Sequence, residues 1–568
     1  MTELINRAPW AIYYNDDAFV AKNGQLMGRH AAGSSYLRAL AQNDYSEFAA
    51  LVRNNSERKN FINLFKSFLP QDKKVDLKTF PWNLPNLSEE FGGIFIGDPQ
   101  VGNYSILRSN FSHNSYSIVG ITHTTMSRNI MDFISDLIIK PTQEWDALIC
   151  TSHCVKDTVD TLLKDFKLGL KERFDIGDII LPELPIIPLG VHDEDYNFNK
   201  EEKDELRKSL GINSEDIALV FVGRLSFHAK AHYFPMYKSL QEIAKKLKRK
   251  KRIHLIQVGW FANDFIKDVF QNDASLICPD IICHFVDGLN QKNKNLILSS
   301  SDIFISLTDN FQETFGLTPL EGMAAGLPVV VTDWNGYRDT VRNNEDGFTI
   351  PTISLQKGEG IDLSYNYHSN ITSYDQYISY ASQRVAVDIK KCTDKIKELI
   401  ENDDLRLRMG NSGKIRVKEK YSWNVILNKY SDLKDHLNEK RNFSSLNKGS
   451  FNYIKAFDPH NLFKSYPSYT LNENHMISCK SEGLLKEDHY LFTSKSIKIS
   501  QNMDNLDTNY LKLDVDRKIV NSIIEILIIG DNEIKNIYNV LDFPKFEINK
   551  TIIMMLKFDI IELLEGNN

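Results

Sequence analysis

The chain has 568 residues, 42% of them hydrophobic and 25% charged, a composition that fits three or four soluble globular domains. Its net charge of −7 lacks the basic excess of a broad nucleic-acid binder. No stretch reaches the roughly 18 apolar residues of a membrane helix.

Even the most apolar segment, Ile519 to Gly530, is broken by Asn521, Ser522 and Glu525. Met1 to Trp10 has no long apolar core of the signal-peptide kind. Six cysteines in a chain this long fit a reducing compartment, so the expected location is the cytoplasm, with peripheral attachment at the inner membrane face as a variant. Two clusters, Cys150/His153/Cys154 and Cys278/Cys283/His284, lack the paired short spacing of a zinc site and read as buried reduced thiols.

Short apolar runs alternate with helical segments from the amino terminus onward. The predicted strands are 10–15, 93–97, 116–122, 147–151 and 180–188, followed by 217–223, 253–259, 282–286, 303–307 and 328–332. These runs are nearly continuous rather than alternating, as parallel strands covered on both faces require. Two blocks of βαβ units imply an α/β protein with two Rossmann-like doubly wound domains, joined near Pro188–Asn197 and facing a cleft. The expected boundaries are 1–195 and 196–420. Residues 421–437 then read as a further helix, with Trp423, Ile426, Leu427, Tyr430 and Leu433 at helical spacing. A polar linker, 438–450, leads to a small, mainly helical domain over 451–568, of possible winged-helix type, with apolar stretches near 518–529, 532–541 and 549–564. That tail carries 13 basic and 17 acidic residues, which disfavours DNA and favours protein contact.

Ligands of open α/β sheets bind outside the carboxyl ends of the strands, so the loops that follow strands carry the chemistry. After the first strand, Gly24, Gly28 and Gly33 permit close backbone approach, and Ser34 is placed to cap a helix from Ser35; such glycines also serve turn geometry alone. His123, beside Thr124 and Thr125, suits a sugar or phosphate, with a satisfied loop histidine as the alternative. Arg224 and Lys230 leave the strand ending at Gly223 and are placed to neutralise a departing diphosphate; surface pairing is the alternative. Glu313 stands in a loop, where a carboxylate can accept from sugar hydroxyls, beside Gly316 with its open backbone. Glu321 has a second explanation, because Thr318, Pro319 and Glu321 form a capping-box helix start. The loop Thr332 to Asp339 follows the last strong strand and reads mostly as turn chemistry.

Together these loops resemble the retaining family-four glycosyltransferases of GT-B fold, over roughly residues 8–440 and most strongly over 217–350. Its most specific element is the Glu-x7-Glu signature formed by Glu313 and Glu321. The resemblance implies that Glu313 contacts the donor sugar, that Phe315, Gly316 and Leu317 offer backbone to sugar and phosphate, and that Glu321 holds the ribose. It places Arg224 and Lys230 on the diphosphate, His123 near the transferred sugar, and Gly28 and Gly33 at phosphate or acceptor. Pro188 to His192 resembles the hinge, and Tyr421-Ser-Trp423 the start of a helix crossing back to the first domain.

The implied activity is transfer of a sugar from a nucleotide-sugar donor to a hydroxyl of a glycan, lipid-linked or other acceptor, in surface glycan or glycoconjugate synthesis. Retention of configuration is implied, with no metal and no cofactor. A nucleotide-sugar epimerase and a non-catalytic nucleotide- or carbohydrate-binding scaffold are the alternatives. The tail is a candidate site for a protein partner, and the basic run Lys245 to Arg252 reads as a solvated helix end opposite the cleft.

Overall fold

The computed structural model describes residues 6–20, 28–175, 177–247, 251–444, 454, 457–480 and 516–564. Gly24, residues 248–250 of the basic run, linker residues 445–450 and the first tail residues, 451–453, lie outside the described residues. The chain divides into two compact units, Met1–Ile454 and Lys455–Asn568.

The first unit holds two parallel sheets. β1 (Ala11–Tyr13), β2 (Glu47–Val52), β3 (Asp76–Pro81), β4 (Gly93–Ile96), β5 (Ser117–Ile121) and β6 (Ala147–Ile149) run in the order β3-β2-β1-β4-β5-β6. β7 (Ile217–Val222), β8 (Ile253–Gly259), β9 (Ile282–Asp287), β10 (Ile303–Ser306), β11 (Val329–Thr332) and β12 (Gly347–Ile350) run in the order β12-β11-β10-β7-β8-β9. Every ladder in both sheets is parallel. Each order reverses between the first and fourth strands of its sheet, where connections leave on opposite faces and a crevice opens at the carboxyl ends. That switch point lies between β1 and β4 in one sheet and between β7 and β10 in the other. This is the two-domain GT-B architecture.

Three strands of these two sheets escape the sequence reading. β2 is Ala-rich and starts with Glu47, a buried carboxylate that pairs with Arg7 and Lys78. β3 is a partly exposed edge strand in which apolar and polar residues mix. β12 is short and opens on Gly347, whose added Cβ would lie 1.9 Å from the Val329 carbonyl oxygen. In the other direction, the predicted strand 180–188 is irregular backbone lying along β6. Leu148 N donates to Glu183 O (2.8 Å) and Ile187 N to Cys150 O (3.1 Å). Pro182, Pro185 and Pro188 have no N–H, so only isolated bridges form.

After β1 and the short helix Asp16–Phe19, a helix spans Gly28–Gln42, so Ser34 lies inside it and does not cap it. The crossing helix spans Trp423–Phe443, running into the predicted linker. It buries Trp423, Ile426, Leu427, Tyr430, Leu433 and Leu437 in the core of the first sheet with Trp10, Tyr36 and Phe95. Trp423 Nε1 donates to Ser35 Oγ (2.8 Å), and Val191 N donates to Tyr421 O (2.8 Å) at the hinge. Gly190 is required there, since an added Cβ would sit 2.4 Å from the Trp423 indole.

Arg108 and Asp146, both fully buried, tie the first sheet together. The guanidinium makes two parallel hydrogen bonds, 2.5 and 2.7 Å, to the carboxylate, whose Oδ1 also accepts from Ile118 N (2.8 Å).

The second unit pairs helices Arg517–Ile529, Ile534–Val540 and Lys545–Lys557 with a small antiparallel sheet. Its strands are β15 (Met476–Cys479), β16 (Asn532–Glu533) and β17 (Ile561–Leu563), ordered β16-β15-β17. Ile477, Ile519, Ile523, Ile534, Ile548 and Ile552 form its own core. Among the described residues, no helix is long and apolar enough to cross a membrane.

Candidate active site

The loops leaving β7 and β10 meet at the switch point of the second sheet and are tied to each other by hydrogen bonds. Thr308 Oγ1 donates to Lys230 O (2.7 Å), and Asn310 Nδ2 to His228 O (2.9 Å). The Ala229 carbonyl accepts from both Gln312 Nε2 (3.1 Å) and Arg224 Nη2 (3.0 Å). Lys230 Nζ donates to Glu313 Oε2, with the two side chains only 22% and 10% exposed. The carboxylate and one of the cations selected from sequence are thus paired, and the other cation holds the carbonyl of the residue before Lys230.

The next turn is shaped by close contact. Gly316 has φ +85° and an added Cβ would fall 2.0 Å from the Tyr337 ring, so no other residue fits. Gly336 is equally confined, its virtual Cβ 2.5 Å from Phe315 Cα. The β11 loop thus nests against the β10 loop. Trp334 Nε1 donates to Asn310 O (3.1 Å), and Asn335 Nδ2 donates to Glu313 O. Phe315 is buried, and Leu317, four residues after Glu313, opens the helix Leu317–Ala324, whose first N–H groups have no partner within the helix.

The capping-box reading of Glu321 is overturned. The helix begins at Leu317, two residues before Pro319, its N-cap is Gly316, and no side chain caps it. Glu321 Oε1 instead accepts from Lys294 Nζ (2.7 Å), with side chains 15% and 10% exposed. Oε2 is buried and makes no hydrogen bond of good geometry among the described residues, although the buried Tyr196 hydroxyl interacts with this carboxylate. Helix capping no longer accounts for this carboxylate.

From the first half, His123 follows β5 and shares its Nε2 with the Gly97 carbonyl (2.8 Å) after β4. Burial lowers its pKa, opposed by that backbone bond. Gly33 and Arg29 line the same depression as His123, together with Tyr36, Gly97 and Trp423. Gly33 packs tightly, with a virtual Cβ 2.5 Å from Ala18 O, whereas Gly28 at the helix start faces open space. The two halves touch beside Glu313: Ser152 Oγ donates to Thr314 O (2.8 Å), and His153 N to Asp339 Oδ2 (2.7 Å).

Burial also sets the titration of the crevice. Asp309, which accepts from His232 N (3.3 Å), is pushed up to about 7 by desolvation. Desolvation lowers His228 and His232, and lowers Arg224 against the opposing charge of Asp375. Cys150 is raised to about 12 by burial, and Cys154 is raised as well. Cys278 and Cys283 lie 3.9 Å apart, sulfur to sulfur.

Several site residues gave no signal in the sequence. Lys294 sits in the polar helix Gln291–Ser300, and Gln312 and Asn335 are loop amides; only the folded chain aligns them with Glu321, Ala229 and Glu313. Ser152 is legible as an N-cap, which explains one of its bonds and not the one that crosses the cleft.

Residues 202–357 match the family described as glycosyl transferases group 1. An uncharacterized glycosyltransferase of Methanocaldococcus jannaschii is 26% identical over 156 residues, 28% of this chain and 37% of that protein. The alpha-monoglucosyldiacylglycerol synthase of Streptococcus pneumoniae is 27% identical over 188 residues, 33% of this chain and 37% of its own length. An Escherichia coli UDP-Gal:alpha-D-GlcNAc-diphosphoundecaprenol alpha-1,3-galactosyltransferase is 26% identical over 228 residues, 38% of this chain and 54% of that enzyme. The chain thus spans between about a third and just over half of the length of these curated relatives. The match begins ahead of β7 and ends after β12, taking in Arg224, Lys230, Glu313 and Glu321. This chain carries a glycosyl transferases group 1 domain, built on its second sheet.

Proposed function

We propose that the chain transfers a sugar from a nucleotide diphosphate sugar to an acceptor hydroxyl, with retention of configuration and without a metal. One observation carries this reading: on the loops that leave β7 and β10, Lys230 pairs with Glu313 and Arg224 holds the neighbouring Ala229 carbonyl, shortly before the helix Leu317–Ala324. A diphosphate there meets two fixed cations and the positive end of a helix. Its arrival gives Lys230 a phosphate partner and frees the Glu313 carboxylate for sugar hydroxyls. Glu321, held by Lys294 and with Oε2 making no well-formed hydrogen bond among the described residues, suits the ribose hydroxyls.

In the reaction the bond from the anomeric carbon to the phosphate oxygen breaks, and the diphosphate leaves with the electron pair. The acceptor oxygen bonds to the same face of that carbon, and its proton passes to the departing phosphate. Arg224 and Lys230 stabilise the growing charge, so no metal is called for and no protein nucleophile takes part. His123 and the depression around it lie where the first half would present the acceptor. Relatives named for a glycolipid synthase and for a transferase acting on a lipid-linked diphosphate sugar favour a glycan or lipid-linked acceptor and a UDP-sugar donor. These names describe transferases and do not favour an epimerase. The second unit is proposed to bind a protein partner.

Purified protein incubated with UDP-, GDP- and ADP-sugars tests the reading. Release of nucleoside diphosphate that rises with a glycan or glycolipid acceptor and survives EDTA is the expected result. Binding without release from any donor would leave the scaffold reading in its place, and loss of turnover in EDTA would remove metal independence.

A further inference from the structure

Between β12 and the helix Ile389–Glu401 the chain makes a self-closing excursion. β13 (Thr352–Ser354) pairs antiparallel with β14 (Val385–Val387), and Asp388 N donates to Pro351 O (3.0 Å) across its neck. The excursion holds two helices, Ile361–His368 and Tyr374–Ser382, both beyond residue 357 where the family match ends. It is rooted in the second sheet yet docks on the first half. Leu363, Ile378 and Ala381 bury a common cluster with Met126, from the loop that carries His123, and with Ala229, from the loop of the two cations. Arg128 stacks its guanidinium 5.3 Å from the Tyr367 ring centre, and its backbone N–H donates to the Tyr367 hydroxyl (3.2 Å). Tyr367 in turn stacks on Tyr377, with centres 4.5 Å apart.

At the centre of this contact Tyr374 reaches both sides. Its hydroxyl donates to Gln312 Oε1 (3.0 Å) and interacts with the Thr124 side chain. Gln312 holds the Ala229 carbonyl that Arg224 also holds, and it is the residue before Glu313. A hydrogen-bonded chain therefore runs from the excursion through Gln312 and the Ala229 carbonyl to Arg224, with Glu313 the next residue along the backbone, and the same Tyr374 hydroxyl meets Thr124 of the first half. We infer that Tyr374 is a positioning residue for the donor site, and that residues 352–387 act as a clasp that touches the first half and sets Gln312, and through it Arg224 and Glu313. The inference rests on the transferase reading for its kinetic consequence, and on geometry alone for the hold on the loop.

Three full-length variants test it: Tyr374→Phe, which deletes only the hydroxyl, Gln312→Ala, and the double substitution. The expected result is a fall in kcat on the order of tenfold with Tm unchanged, nucleoside diphosphate affinity falling less, because Arg224 and Glu313 are misplaced rather than removed. The double variant should lose no more than either single one, since both cut the same chain. A second readout is independent of turnover: amide hydrogen exchange of the 308–316 backbone should quicken in Tyr374→Phe. Unchanged exchange there, or additive losses in the double variant, would overturn the inference. Wild-type protein that turns over no donor would instead overturn the proposed function, with loop exchange still deciding what Tyr374 does.

Discussion

Lys230 and Glu313 lie 83 positions apart in the chain and form one ion pair between the loops leaving β7 and β10. Each is the other's countercharge in the crevice, so neither can be removed without leaving a partly buried charge behind. Lys230→Ala and Glu313→Ala should each lower kcat/KM by a factor on the order of 10²–10³. The double variant should fall well short of the product of the two losses. Steady-state kinetics of the three proteins decide this, and fully additive losses would mean the pair does not act as a unit.

Glu321→Ala serves a different purpose. No helix cap is lost, since Gly316 occupies that position without side-chain help. The substitution instead strands the Lys294 ammonium, which should cost about 1–3 kcal/mol in urea unfolding. Combining it with Lys294→Met should recover part of that stability and none of the donor affinity. If donor affinity survives in Glu321→Ala, the carboxylate has no part in holding the nucleotide.

The Arg108–Asp146 pair makes a purely structural prediction. Asp146→Ala leaves a guanidinium with no exposure unpaired and deprives Ile118 N of its acceptor. A loss of about 3–5 kcal/mol is expected, read as a lower urea midpoint. A shift below about 1 kcal/mol would show that Arg108 finds another partner or water.

Asp309 makes stability pH-dependent. Its carboxyl rises from the ordinary 3.8 to about 7 in the folded chain, chiefly through burial. The folded state therefore holds this proton more tightly than the unfolded state does. The associated stability is full below pH 3.8 and is lost as pH climbs through about 7. Asp309→Asn cannot ionise, so its urea midpoint relative to wild type should rise between pH 4 and pH 8. A constant difference across that range would mean that Asp309 ionises as freely in the fold as in the unfolded chain.

The sequence was most informative where physics leaves few choices. Continuous apolar runs such as 217–222 and 303–306 fit strands buried on both faces, and they locate the carboxyl-end loops with Arg224, Lys230 and Glu313. Edge positions were less legible: β3 is half solvated, and 180–188 looks like a strand until its prolines are counted as missing donors. Thr318-x-x-Glu321 was misleading because a local capping pattern competed with Gly316, whose conformation starts the helix sooner. The partners Lys294, Gln312 and Tyr374 carry no pattern of their own. They matter through what stands opposite them, 27, 83 and 62 positions away.

The helix Trp423–Phe443 belongs by sequence to the end of the first unit, and by packing to its beginning. On the ribosome, the domain made first cannot seal its interior until the second has been almost entirely synthesised. Tyr36, Phe95 and Trp10 wait with one flank open to solvent until Tyr430 emerges. A chain truncated near residue 420 would keep every strand of the first sheet and still expose an aromatic wall to chaperones and proteases.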